Sequence, residues 1–467
     1  MIYKSIQPQK LILVVTLLFA FMFISASYGQ EASSDSTASL SSFLKKGELN
    51  FHSRTYLMST LNKEREYDFF TLATGAGINY KTPSIQGFQI KAGGYLSFRL
   101  AEYNLIDSET ERWNKNRYEK ALYDINDTGN KYNLGILDEV YLSYKHKGLS
   151  FKLGRQTYET PLLNKNYNRM RPNFFQGLSA QYENKNLTFS GAWFISEGIR
   201  ATTDTYSMAN SIGVYGQGRN TEGIKSDYHG HTSSLGTGVF GMKYNKNNWK
   251  TQAWNYLAEN VFNTTFIQSD YAIKKNKTTF STGIQGFYQT ALNNGGNSNP
   301  THSYMLKGEQ TYAIGGMAAI MFNEQHLFSF NYLGISDQGR FLFPKEWGRE
   351  QFYASQTTEL FEGYGGVNAY VLRYNYNSIN KQHKSKISAG VIEQPEINDF
   401  RLNKYSLDSY YHFLVEHKYH FGDYLKGLSL RFIATYKKEV GEGTMTAAQK
   451  INKVDMINLN LVIDYKL

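Results

Sequence analysis

The chain has 467 residues, a formal net charge of +10, no cysteine, 7 prolines, 40 glycines, 37 tyrosines and 30 phenylalanines. The lack of cysteine excludes disulfides, thiol chemistry and a lipoprotein anchor, and so modest a positive excess is by itself no signature of nucleic-acid binding. Few helix signals beside many aromatics and glycines point to an all-β chain.

The first residues read as a targeting segment. Lys4 and Lys10 form a basic start. Residues 11–24 form an apolar run of fourteen in which Thr16 is the only polar residue. A spanning helix needs roughly 17–25 residues. Ser27 and Gly29 stand at the third and first positions before a cut. The expectation is a signal peptide over residues 1–29, cleaved after Gly29. Residues 30–46 are Ser-rich and are expected to be a disordered tail.

From Glu48 onward the apolar residues recur at every second position. Phe70, Leu72, Ala76, Ile78 and Tyr80 share one parity. Leu428, Leu430, Phe432, Ala434 and Tyr436 oppose Ser429, Arg431, Thr435 and Lys437. Ile457, Leu459, Leu461, Ile463, Tyr465 and Leu467 oppose Asn458, Asn460, Asp464 and Lys466. Eighteen strands are expected in all: 48–57, 70–81, 86–100, 136–146, 149–156, 175–183, 187–195, 235–245, 249–258, 263–273, 278–289, 310–322, 326–335, 366–377, 385–393, 408–420, 427–438 and 454–467.

The connections alternate in length. Eight are tight, such as 147–148 and 184–186. Those on the other side are mostly long, such as 101–135, 196–234 and 336–365, with 58–69 modest and 259–262 too short for the pattern. Short turns opposite long loops are the layout of an outer-membrane barrel. The bilayer core offers no water to unpaired backbone groups, so only helices and closed barrels cross it. Residues 47–467 are therefore expected to form a transmembrane antiparallel β-barrel with one parity on lipid and the other on a lumen. At about eighteen strands such a barrel encloses an aqueous channel.

The stretch 149–177 changes character halfway. It starts as a strand, and then Pro161 and Pro172 interrupt any ladder. Between them lie Asn164, Asn166, Asn168, Arg169 and Arg171, a cationic loop able to fold over the bore. The lumen parity elsewhere supplies Arg54, Lys91, Arg99, Lys152, Arg373 and Arg431. Rows of Lys and Arg in a pore favour anions and carboxylates.

Here the chain resembles a known family. Gly154-Arg155-Gln156, Pro161-Leu162-Leu163-Asn164, Arg169, Pro172 and Phe175-Gln176-Gly177-Leu178-Ser179 look like the signature of the OprD-type outer-membrane porins. The stretches 370–376, 427–431 and 462–467 are similar to later strands of that family. The resemblance implies an 18-stranded barrel, a third loop folded inward, and a row of basic residues guiding small carboxylate-bearing solutes. Two positions depart from the family pattern. Tyr167 stands where the family has Asp, and Met170-Arg171 replaces an apolar pair. The constriction would lose a carboxylate and gain a cation, which moves the expectation from basic amino acids to anionic solutes.

Other signals are weaker. His412, His417 and His420 share a strand, but His417 has the opposite parity, so they cannot all meet one metal. Glu119, Asp124 and Asp127 could hold Ca²⁺ in an outer loop or simply be solvated. No catalytic or phosphate-binding motif is present. The reading is a substrate-selective porin of the outer membrane, without cofactor or metal. Its partners would be small solutes and outer-membrane lipid, with no nucleic acid, and it would be a monomer or homotrimer. Arg169, Arg171, Tyr167 and Asn168 would form the constriction and the six lumen cations a basic track. The alternative is a barrel enzyme or adhesin without an open channel.

Overall fold

The computed structural model describes residues 43–63, 67–105, 116–127 and 129–467. It divides into two units, Met1–Gly47 and Glu48–Leu467. The expected signal peptide, and the expected tail up to residue 42, lie outside the described residues. Residues 43–47 form a turn in which Lys46 N–H donates to the Phe43 carbonyl (3.0 Å).

The second unit is a barrel of eighteen long antiparallel strands. They are β1 (Glu48–Asn62), β2 (Phe69–Lys81), β3 (Phe88–Tyr103), β4 (Leu134–His146), β5 (Leu149–Gln156), β6 (Phe174–Glu183), β7 (Leu187–Gly198), β8 (Thr237–Lys246), β9 (Trp249–Ala258), β10 (Phe262–Lys275), β11 (Thr278–Ala291), β12 (Gln310–Phe322), β13 (His326–Ile335), β14 (Asn368–Asn377), β15 (His383–Glu393), β16 (Tyr410–His420), β17 (Leu428–Glu439) and β18 (Met456–Lys466). Each pairs with the next, and β18 returns to β1 with Leu57 opposite Leu461 and Arg54 opposite Asp464. Closure leaves no free edge, which a bilayer requires. All eighteen expected strands are present.

The expected faces hold as well. In β1, Arg54, Tyr56, Met58 and Thr60 are buried inside the barrel, and Phe51, Ser53, Thr55 and Leu57 alternate with them on the outside. In β18, Asn458, Asn460, Val462 and Asp464 point inward. The outside carries exposed Ile284, Ile314, Phe330, Leu372 and Ile387. Rings gather at both ends of this apolar belt. Tyr288 opposite Tyr312 and Tyr332 opposite Tyr370 lie at the end bearing the long loops. Phe88 against Tyr144 and Trp249 against Tyr271 lie at the end bearing the tight turns. Aromatic girdles in these places mark the two membrane interfaces.

The tight turns carry residues able to take positive φ: Lys147, Asn247 and Asn276 lie at φ of 43°, 52° and 56°. The opposite connections are long, except for residues 63–68 and 259–261.

The interior departs from expectation. A bore narrowed by one loop was predicted, but residues 336–367, between β13 and β14, also turn into the barrel and pack there. Phe341, Phe343, Trp347, Phe352 and Phe361 are buried together against Tyr256, Phe262, Phe266 and Phe287 of β9, β10 and β11. Each such ring gains roughly 1.5–3 kcal/mol relative to an exposed one. The lumen wall in this sector is itself apolar, so a loop rich in aromatics covers it. A second, smaller cluster around Tyr56, Met58, Phe69, Tyr95 and Leu122 lines the opposite sector.

Candidate functional site

The motif at residues 154–179 builds the site from the wall inward. Gly154 has φ of 129°, a conformation closed to residues with a side chain, and a β-carbon there would meet the Val140 carbonyl oxygen. At Gly177 the β6–β7 register shifts, and a β-carbon would strike the backbone of Trp193 and Phe194. Arg155 Nε donates to the Asp138 carbonyl (2.9 Å), and Ser179 Oγ donates to Gln156 Oε1 (2.6 Å). These contacts fix the point where the chain leaves the wall.

Residues 157–173 then cross the bore. Tyr256 of β9 holds them there, its hydroxyl donating to Thr160 Oγ1 (2.9 Å) and accepting from Leu162 N–H (3.3 Å). Asn164 clamps this loop to residues 336–367. Its N–H donates to the Trp347 carbonyl (2.9 Å), its Nδ2 to the Arg349 carbonyl (2.8 Å), and its Oδ1 accepts from Arg349 N–H (3.2 Å). Asn173 Nδ2 donates to the Glu346 carbonyl (2.5 Å). The two inward loops thus form one hydrogen-bonded layer.

Beside that layer, against the wall of β1, β17 and β18, lies a cavity of about 560 Å³. Among the described residues nine cations line it: Arg54, Arg117, Lys120, Arg169, Arg200, Lys345, Arg349, Arg431 and Lys453. Glu359 is the only acidic one on its wall among the described residues. Glu359 is already spoken for, with Lys437 Nζ at 3.0 Å and His412 Nδ1 at 3.1 Å. Burial opposes its charge, but Lys437 and His412 outweigh that and hold its carboxyl below the ordinary range. Tyr56, Tyr118, Tyr167, Tyr215 and Tyr405 supply aromatic faces.

Arg54 shows how the cations are presented. Its Nε and Nη2 grip both oxygens of Asp464 at 2.6 and 3.0 Å, and its Nη1 donates to the Arg169 carbonyl (2.5 Å). Its guanidinium lies 3.8 Å over the Tyr167 ring. Tyr167 is therefore a neutral cation–π partner of Arg54. Lys345 and Lys453 project from separate loops. Lys345 Nζ donates to the Gly216 carbonyl (2.5 Å) and the Tyr405 hydroxyl (2.8 Å), and Lys453 Nζ to the Tyr405 carbonyl (3.2 Å). Burial presses both ammonium groups down to about 8; neighbouring Arg117 adds to this for Lys453.

The residues singled out in the sequence are thus distributed. Tyr167, Asn168, Arg169, Arg54 and Arg431 meet at the cavity. Arg171 does not reach it: its side chain is buried behind the loop and donates to the Thr202 carbonyl (2.7 Å). Arg373 holds the second inward loop, donating to the carbonyls of Tyr353 (3.1 Å) and Ser355 (2.8 Å). Lys91 pairs with Glu139 at 2.5 Å, Arg99 pairs with Glu102, and Lys152 lies 5.0 Å over the Tyr141 ring. All six track residues face the lumen: Arg54 and Arg431 line the cavity while also paired with Asp464 and Glu416 (2.9 Å), Lys91 and Arg99 are paired away from it, Arg373 braces a loop, and Lys152 lies over a ring.

Arg117, Lys120, Arg200, Lys345, Arg349 and Lys453 escaped the sequence reading because loops carry no period. Only their convergence reveals them. Of the acids considered for Ca²⁺, Asp127 is exposed and Asp124 and Glu119 are used internally. Asp124 accepts from Thr203 N–H (2.8 Å) and Oγ1 (2.6 Å), and Glu119 from Thr60 (2.5 Å) and Asn116 (2.7 Å). His412 faces Glu359 inside the barrel, while His417 meets Ser385 (2.9 Å) on the outer face.

Comparison with known proteins gives the same architecture. The family described as outer membrane porin, OprD family, matches residues 42–380. Comparison with curated protein sequences finds no match. Among solved structures, Pseudomonas aeruginosa OpdK with vanillate is 14% identical with a TM-score of 0.70, covering 91% of this chain and 99% of that one. Pseudomonas aeruginosa OccK9 (OpdG) is 14% identical with a TM-score of 0.71 and the same coverage. Pseudomonas aeruginosa OccK2 (OpdF) in complex with glucuronate is 11% identical with a TM-score of 0.67, again over 91% and 99%.

Proposed function

The chain belongs to the OprD family of outer membrane porins, and from that premise we propose that it passes small carboxylate-bearing anions, passively and selectively, through the cavity beside its two inward loops. The observation that carries this reading is the charge of the cavity wall: among the described residues nine cations line it against one acid that is itself paired, and two of the nine, Arg54 and Arg431, are also paired, with Asp464 and Glu416. Guanidinium groups bind carboxylates in two-pronged fashion, and a narrow low-dielectric passage strengthens the field of each charge. A solute that must fit a cavity of about 560 Å³ is a small one. Vanillate and glucuronate, found with two proteins of similar fold, are carboxylates of that size class. The signal reading of residues 1–29 supplies the route to the outer membrane.

Arg54 and Arg431 form the wall side of the passage, and Arg169, Arg200 and Arg349 the loop side. Tyr167 keeps Arg54 oriented without cancelling its charge. The test is single-channel recording under a salt gradient. The wild type should give a reversal potential of anion preference. Tyr167→Asp, which restores a carboxylate beside Arg54, should move that potential toward cations. A cation-preferring wild type would refute the anion reading.

A further inference from the structure

Away from the bore, two outer loops bring Asp227, His231 and His302 together. Asp227 and His231 stand four apart in the run Asp227-Tyr228-His229-Gly230-His231, in the loop between β7 and β8. His302 closes the short 3₁₀ turn Pro300–His302 in the loop between β11 and β12. One ligand atom from each lies within 4.8 Å of the other two. His231 Nε2 is 3.8 Å, and His302 Nδ1 3.4 Å, from the same Asp227 Oδ2, and the two imidazoles are 4.1 Å apart between centroids. A tetrahedral ion with bonds of about 2.0–2.2 Å needs its ligand atoms about 3.4 Å apart. The cluster is already near that spacing.

Contacts other than these three side chains hold the loops in place. Ser233 N–H donates to the Gly296 carbonyl (2.8 Å), and Asn297 Nδ2 donates to the His231 carbonyl (2.7 Å). The Tyr228 ring meets the Tyr304 ring edge-on at 5.1 Å. The donors are therefore positioned before any ion arrives, which lowers the cost of assembling the site. Two imidazoles and one carboxylate suit zinc, copper(II) or nickel(II), and not calcium or magnesium.

We propose that Asp227, His231 and His302 bind one divalent transition-metal ion of the zinc class, fastening the β7–β8 loop to the β11–β12 loop on the outer face. The side chains are open to solvent, so water completes the coordination. His302 Nδ1 lies 2.9 Å from the Asp227 carbonyl. In the metal-free protein its N–H donates there; ligation through Nδ1 exchanges that hydrogen bond for a metal bond, and the ring proton moves to Nε2. The site rests on the outer loops alone and is independent of which solute the passage carries.

The test is calorimetric titration of Zn²⁺ into untagged protein extracted from outer membranes in detergent, with Co²⁺ absorption as a second reading. The wild type should take up one equivalent and give the visible bands of four-coordinate Co²⁺. His231→Ala and His302→Gln should each weaken the uptake at least tenfold while the barrel stays folded. Amide exchange in residues 227–231 and 300–304 should slow with Zn²⁺ in the wild type alone. Uptake unchanged in both variants would place the ion elsewhere, and no stoichiometric uptake by the wild type would refute the metal site. Binding without slowed exchange in either loop would overturn the fastening.

Discussion

Tyr167 and Arg54 illustrate how one residue sets the charge of a passage. An acid at position 167 would pair with Arg54, whose charge Asp464 already answers across the closing seam of β1 and β18. A tyrosine keeps the stacking and adds no negative charge. The lysines add a dependence on pH. Lys345 and Lys453 lie in loops, and burial brings both to about 8. They are charged below that value and neutral above it, while the arginines of the cavity stay charged. Anion preference should therefore be strongest at and below about pH 7 and decline as pH rises toward about 9, without reversing. Reversal potentials recorded across that range check this, and a flat profile would remove the two lysines from the conducting surface.

At the scale of elements, the informative piece is the second inward loop, residues 336–367. It is held by a packed aromatic core and by Asn164, so the family motif serves as a clamp between loops as much as a lining. Trp347 is central to it, its Nε1 donating to Ser211 Oγ (2.7 Å) and its ring packing on Phe262 and Phe343. Trp347→Ala should cost about 3–5 kcal/mol of loop packing. The barrel wall, with its own ladder, should survive. The expected result is a higher single-channel conductance and faster amide exchange in 336–367, with the folded barrel retained. Unchanged conductance would show that this loop does not bound the passage.

For the whole molecule, the bilayer is the dominant constraint. Strand pairing closes the backbone, and the alternating faces assign each side chain to lipid or lumen. Leu461 lies mid-strand on the outer face, between Leu57 and Phe432. Leu461→Lys should destabilise folding into lipid vesicles by roughly 2–4 kcal/mol. A folding titration that finds no loss there would contradict the lipid assignment of that face.

The strands, their faces and the sorting of short turns from long loops were legible in the sequence, because a side-chain period of two and the demands of a bilayer are local and repetitive. Eighteen strands could be counted and the lumen parity of Arg54 and Arg431 read directly. The third loop was recognisable from Pro161, Asn164 and Gly177. What only the tertiary structure decided was partnership. Lys91 and Arg373 look alike by parity, yet one meets Glu139 and the other braces a loop. Arg171 and Arg169 stand two apart, yet only Arg169 reaches the cavity. Arg349 and Lys453 belong to aperiodic loops, and Asp227 and His302 to two different ones. Such meetings depend on how loops far apart in the chain pack over a closed wall, and no period along the sequence encodes that.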